Sequence, residues 1–131
     1  MPFYEERRIK RDRRLLSLFR LFKNKKGGPI MASSSKLERD FQSNLIRELK
    51  MLFSGCMVMK LDSGYIQGIP DLLVLYKNKW ATLECKKFTN AKKQPNQKYY
   101  VGLMDEMSFS RFICPENKEE VLYELQQAFK S

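Results

Sequence analysis

In the stretch GIPDLLVLYKNKWATLECKK, Gly68 to Lys87, an aspartate, a glutamate and a lysine stand at the ends of two otherwise apolar runs. Charge at the margin of a core is costly unless it is paired or holds a metal. A two-residue turn at Lys77-Asn78 pairs Tyr76 with Lys79. Counting outward, Leu75 then faces Trp80, Leu73 faces Thr82 and Asp71 faces Glu84. Cross-strand partners share a face with Cβ atoms about 5 Å apart. Residues two apart on a strand also share a face, so Lys86 joins the carboxylates while Cys85 points away into the core. A three-residue turn shifts this pairing by one. Two carboxylates so close repel when both are ionised. A hard divalent cation, Mg²⁺ or Mn²⁺, bridging them removes that cost, and the backbone carbonyl of Cys85 adds a third oxygen. Such a site polarises a phosphodiester and activates water, with Lys86 stabilising negative charge on the phosphate or orienting the water. The competing reading is an ordinary salt bridge of Lys86 with Asp71 or Glu84, which is worth little.

The elements that position these residues are legible as an order α-β-β-β-α-β-α. Ser35 followed by Glu38 reads as a capping box, and Leu37, Phe41, Leu45 and Leu49 repeat at helical spacing to about Phe53. Cys56 to Asp62 reads as a strand and is followed by the glycine loop SGYIQGIP. Leu72 to Tyr76 and Trp80 to Lys86 form the hairpin. A lysine-rich connection leads to Pro95, which suits the first turn of a helix from Asn96 to about Met107. Phe109 to Cys114 is a fourth strand, stopped by Pro115. Lys118 to Phe129 closes the chain as a helix with Val121, Leu122, Leu125 and Phe129 on one face. The expectation is an α/β sandwich with strands of mixed direction.

Composition narrows the chemistry further. With 131 residues, 43% of them hydrophobic, the chain supports one modest domain. There is no histidine, which removes imidazole acid–base chemistry, the Ser-His-Asp triad and His-ligated metals. Cys56, Cys85 and Cys114 form no CxxC pair and read as reduced core thiols. No run reaches the roughly 18 apolar residues that cross a bilayer, and no signal-peptide pattern opens the chain, so a cytoplasmic or nuclear setting is expected.

The net charge of +10 points to a polyanionic partner, and it is unevenly placed: residues 1–30 carry +7. That segment is a basic block, with Arg7, Arg8, Arg11, Arg13 and Arg14, followed by an apolar face of Leu15, Leu18, Phe19 and Phe22. It reads as an N-terminal arm that grips nucleic acid, docks on the domain or rests on a membrane surface, or as a solubilising tail. Lys23 to Pro29 is a linker, and Met31 offers a second translation start, so residues 31–131 form the domain. Near the carboxylates, Lys87, Lys92, Lys93 and Lys98 are phosphate-binding candidates beside the bland reading of a solvated lysine-rich loop. Tyr65 and the Tyr99-Tyr100 pair are candidates for stacking on bases, with core packing the alternative for one of the pair.

Pro70-Asp71, twelve residues, then Glu84-Cys85-Lys86 resembles the PD-(D/E)xK nuclease signature. More narrowly, Gly68-Ile69-Pro70-Asp71, Glu84-Cys85-Lys86 and Pro95-Asn96-Gln97 resemble the virus-type replication–repair nuclease (VRR-NUC) branch, over roughly 36–129. The resemblance implies a restriction-endonuclease-like core, a mixed central sheet flanked by helices, with Asp71 and Glu84 as metal ligands and Lys86 as the catalytic lysine. It also implies that Glu38 is a further acidic residue near the metal, against its reading as a helix cap, and that Gln97 lies beside the site. Two departures from the family pattern are Gln94, where a serine or threonine caps the helix, and Met107-Ser108, where a small Gly-Ala pair is usual. Small single-domain members resemble Holliday-junction resolvases. The implied activity is therefore metal-dependent, structure-selective cutting of branched or duplex DNA by a homodimer, with Trp80, Met104 or Met107 as interface candidates. The rival expectations are a non-catalytic nucleic-acid-binding protein on a nuclease fold and a viral accessory protein recruited through the arm.

Overall fold

The computed structural model describes residues 34–131, within a unit that runs from Ser33 to Ser131. The arm, with the five arginines of its basic block and its apolar face, lies outside the described residues. Three helices and four strands follow in the expected order: α1 (Ser34–Leu52), β1 (Met57–Lys60), β2 (Leu72–Tyr76), β3 (Lys79–Cys85), α2 (Pro95–Met107), β4 (Ser110–Ile113) and α3 (Lys118–Lys130). They build an α/β unit on one mixed sheet of order β1-β2-β3-β4. β1 to β2 and β2 to β3 are antiparallel, whereas β3 to β4 is parallel. The parallel step needs a crossover, and α2 is that crossover.

The hairpin register is the one counted from the sequence, with Tyr76 opposite Lys79, Leu75 opposite Trp80 and Leu73 opposite Thr82. Lys77 takes the left-handed conformation, φ 56°, that a two-residue hairpin turn asks for. The first strand is shorter than expected, Met57–Lys60 against Cys56 to Asp62, although Leu61 N–H still donates to Asp71 O at 2.8 Å.

β3 is buried on both faces from Ala81 to Cys85. Ala81, Leu83 and Cys85 face the side covered by α1 and α3, where Phe41, Leu45, Leu49, Leu122 and Leu125 complete the core. Leu37 does not join this stripe and is 48% exposed, since it sits in the first turn of α1. Phe53, Tyr76 and Phe129 close one end with ring centroids 5.0 to 5.6 Å apart. Thr82 and Glu84 point to the opposite face, under α2, where the Thr82 hydroxyl donates to Ser110 Oγ at 2.7 Å.

A buried ion pair joins the two helices of the first layer: Lys118 Nζ donates to Glu48 Oε1 at 2.7 Å, with side chains only 5% and 2% exposed. Breaking such a pair from one side strands the other charge in the interior, at a cost of about 3–5 kcal/mol, while replacing both partners by apolar groups is often neutral. Lys118→Met alone should therefore lower stability by about 3 kcal/mol. The double change Glu48→Leu with Lys118→Met should recover most of that loss, as read by urea unfolding.

Candidate active site

The two carboxylates meet where the β2–β3 ladder ends at Leu72 and Leu83. One step beyond, Asp71 N–H donates to Glu84 Oε1 at 3.1 Å, and Cys85 N–H donates to Asp71 Oδ2 at 2.9 Å. The backbone of each residue's neighbourhood thus holds the other's carboxyl group. The glycine loop brings Asp71 to this point. Gly68 has φ +90° and packs so closely on α2 that a Cβ there would lie 2.4 Å from Asn96 Cβ. No L-residue side chain fits, so Gly68 seats the Gly-Ile-Pro-Asp segment against the start of α2.

Gln97 is the hub of the site. Its Nε2 donates to Glu84 Oε2 at 2.6 Å, and its Oε1 accepts from Lys86 Nζ at 2.8 Å. The same Oε1 accepts from the backbone N–H of Gln94 at 3.0 Å. The start of α2 is therefore capped without the usual serine or threonine, because Gln97 reaches back to Gln94 as the third residue of a capping box does. Lys86 continues β3 through its N–H bond to Ile113 O, 2.8 Å, and its side chain is 11% exposed. Its Nζ lies 3.8 Å from Glu84 Oε2. Asp71, Glu84, Lys86 and Gln97 therefore form one connected cluster at the end of the sheet.

Glu38, half-buried on α1, is close enough to this cluster to feel Asp71, Lys86 and Lys87 electrostatically. Among the described residues no three or more His, Cys, Asp or Glu side chains converge as a ready-made metal-ligand group. Cys85 turns its side chain away from the carboxyl face into the core, where burial, then Asp71, Glu84 and Glu38, push its thiol far above the usual range.

The surrounding cations are spread over the β3–α2 connection. Lys87 lies over the Phe88 ring, 5.6 Å from its centroid, and Lys93 lies over Phe112 and donates to Thr89 O at 3.2 Å. Lys92 and Lys98 are exposed. Tyr65, in the glycine loop, is 85% exposed, and Tyr99 is 61% exposed with its ring edge-on to Tyr100. Sequence reasoning missed the clamp that holds this connection down: Thr89 N–H and Oγ1 both donate to Glu116 Oε2, at 2.7 and 2.8 Å. No periodicity or short motif marks a bond between residues 27 apart. Compared with protein-family models, curated proteins and solved structures, the chain has no match.

The electrostatics follow from burial. Glu84 is raised from its ordinary 4.5 to about 8, first because burial disfavours its charge and next because Asp71 stands beside it, with Lys86 opposing. Asp71 is raised as well by burial, offset by its bond from Cys85 N–H, its hydrogen bond with Glu84 and the Lys86 charge. Burial also raises Glu38. Burial and the neighbouring Asp71 charge thus favour the protonated form of Glu84. Between pH 4.5 and about 8 the folded chain keeps a proton on Glu84 that the unfolded chain has released. This group's contribution to stability is therefore full below 4.5 and is lost as pH rises through about 8. The absence of histidine leaves few other side chains titrating there. In EDTA, the melting temperature should fall between pH 5.5 and 8.5, and Glu84→Gln should flatten that slope. A slope unchanged by the substitution would place the proton elsewhere.

Proposed function

We propose that the chain is a divalent-metal-dependent endonuclease that hydrolyses DNA phosphodiester bonds, on a restriction-endonuclease-like core of the VRR-NUC type. The observation that carries this reading is the pair of carboxyl groups, half-buried Asp71 and buried Glu84, with Lys86 fixed beside them by Gln97. A structural salt bridge needs one carboxylate for one lysine. A second carboxylate, desolvated and pressed against the first, destabilises the fold and is useful chiefly for holding something positive between them.

The donor set suits a hard cation: the Asp71 and Glu84 oxygens, with the Cys85 carbonyl, would hold Mg²⁺ or Mn²⁺. The bound ion would supply Lewis-acid polarisation of the phosphate and a more acidic water. The chain's own residues supply the rest. Lys86, kept at the site by Gln97 Oε1, stabilises negative charge developing on the phosphate. Gln97 is a positioning residue, because it acts by fixing Lys86 and Glu84 to one amide. Glu38 adds negative potential beside the pair. Lys87, Lys92, Lys93 and Lys98 offer phosphate contacts outside the reacting centre, and the exposed Tyr65 ring offers a stacking surface for an unpaired base. Those features favour branched or distorted DNA over intact duplex, so a junction-resolving role is the specific form of the proposal.

The test is cleavage of labelled four-way junction, flap and linear duplex DNA with Mg²⁺ or Mn²⁺, against an EDTA control. Glu84→Ala should abolish cutting, and Lys86→Ala should slow it by about 10²–10³-fold. Gln97→Ala should slow it less while shifting the pH–rate profile, a change that a merely structural glutamine would not produce. Binding to every substrate with no metal-dependent cutting would overturn the endonuclease and leave a nucleic-acid-binding protein on this fold.

A further inference from the structure

The connection from Lys86 to Gln94 leaves the end of β3 at the carboxylate site and carries Lys87, Lys92 and Lys93. A link between a strand and its crossover helix is ordinarily the loosest part of a fold. Here its middle is tied down. Lys86 N–H donates to Ile113 O, and three residues further along both segments Thr89 N–H donates to Glu116 Oε2. The parallel pairing of β3 with β4 is thus carried past the end of the sheet, with a side chain standing in for the backbone.

Every polar group of Thr89 is engaged. Its N–H and Oγ1 both donate to Glu116 Oε2, at 2.7 and 2.8 Å, and its carbonyl accepts from Lys93 Nζ at 3.2 Å. Lys93 also lies over the Phe112 ring, so it closes the connection from the inside. Buried Ala91 turns the chain back through its N–H bond to Phe88 O, 3.1 Å. The other half of the clamp is equally fixed. Asn117 Oδ1 accepts from Cys114 N–H at 2.8 Å, and its Nδ2 donates to Phe112 O at 3.1 Å, which sets the turn that presents Glu116. Hydrogen bonds from the Cys114 thiol and from Thr89 hold the Glu116 carboxyl below its ordinary range, so it is charged at neutral pH.

The sign of this anchor is wrong for a surface that merely attracts a polyanion. An exposed carboxylate beside a lysine-bearing loop repels phosphate. That repulsion is screened by salt over a Debye length of about 8 Å, whereas charge-assisted bonds made at contact are not. What Glu116 contributes is therefore order rather than charge. A loop ordered in advance loses less conformational freedom when a ligand binds. The ordered segment also starts at the site, because Lys87 is close enough to act electrostatically on Glu38, and Lys92 lies exposed further out.

We infer that Glu116 is a positioning residue for the substrate: through Thr89 it fixes the Lys86–Gln94 connection so that Lys87 and Lys92 meet the phosphates flanking the scissile one. The inference rests on the nuclease reading and deepens it, since it assigns substrate grip to a preorganised loop as well as to positive charge.

Three variants separate position from charge. Glu116→Gln removes the charge and keeps an acceptor for both Thr89 donors. Glu116→Ala removes charge and acceptor together, and Thr89→Val removes one donor with the net charge unaltered. Both positions are exposed, so melting temperatures should stay close to wild type. With four-way junction DNA and Mg²⁺ at physiological salt, Glu116→Ala and Thr89→Val should raise KM about five- to tenfold at unchanged kcat. Glu116→Gln should remain within about twofold of wild type, because its amide oxygen still accepts. Dissociation constants read by fluorescence anisotropy in EDTA should follow the same order. Tighter binding in both Glu116 variants would reduce the glutamate to a repulsive charge and overturn the inference. A fall in kcat at unchanged KM, or constants that do not move in Glu116→Ala and Thr89→Val, would overturn it too. A wild type that cuts with neither metal while anisotropy keeps this order sinks the nuclease reading and leaves the loop as a nucleic-acid grip.

Discussion

A single strand sets the terms for the whole unit. β3 is covered on both faces, so every residue from Ala81 to Cys85 must be satisfied inside protein. Four of those five positions meet the demand cheaply, with Ala81, Leu83 and Cys85 in the core and the Thr82 hydroxyl bonded to Ser110. Glu84 does not. A desolvated carboxyl group needs donors or a cation, and the fold provides the N–H of Asp71, the amide of Gln97 and the nearby ammonium of Lys86. The end of the hairpin, the start of α2 and the exit of β3 are all fixed by what Glu84 requires.

The second carboxyl group turns this from an arrangement into a tension. Asp71 stabilises the chain end through Cys85 N–H, yet it opposes ionisation of Glu84. Natural folds keep such repulsion mainly where chemistry needs it. Lys86 and Gln97 moderate it without removing it. The lysine amine shares its acceptor with the cap of α2, so the helix start and the site are one network. A change that disturbs either disturbs both.

Much of the architecture was readable in advance because short-range patterns carry it. The heptad-like run of Phe41, Leu45 and Leu49, the Lys77-Asn78 turn and the proline at the start of α2 act within a few residues. Their boundaries moved by only one or two positions. The pairing of Asp71 with Glu84 was also legible, since register propagates by twos from the turn. Less legible was anything that joins distant segments. The Thr89–Glu116 clamp, the Lys118–Glu48 pair and the contact of Gly68 with Asn96 have no local signature. Glu38 carried two readings, a cap with Ser35 and an acidic residue near the metal, and only packing brings it close enough to feel Asp71 and Lys86.

The sequence by itself determined the order of elements, the hairpin register and the set of residue types at the sheet end, along with the exclusion of imidazole chemistry. Periodicity, turn residues and composition are local quantities, and a single chain displays them in full. Only the tertiary structure decided that Glu84 is buried enough for its carboxyl group to be pushed well above its ordinary range, and that Gln97 ties Lys86 to it. Those depend on desolvation and on which side chains the packing brings within hydrogen-bond reach, and neither is a property of neighbouring residues.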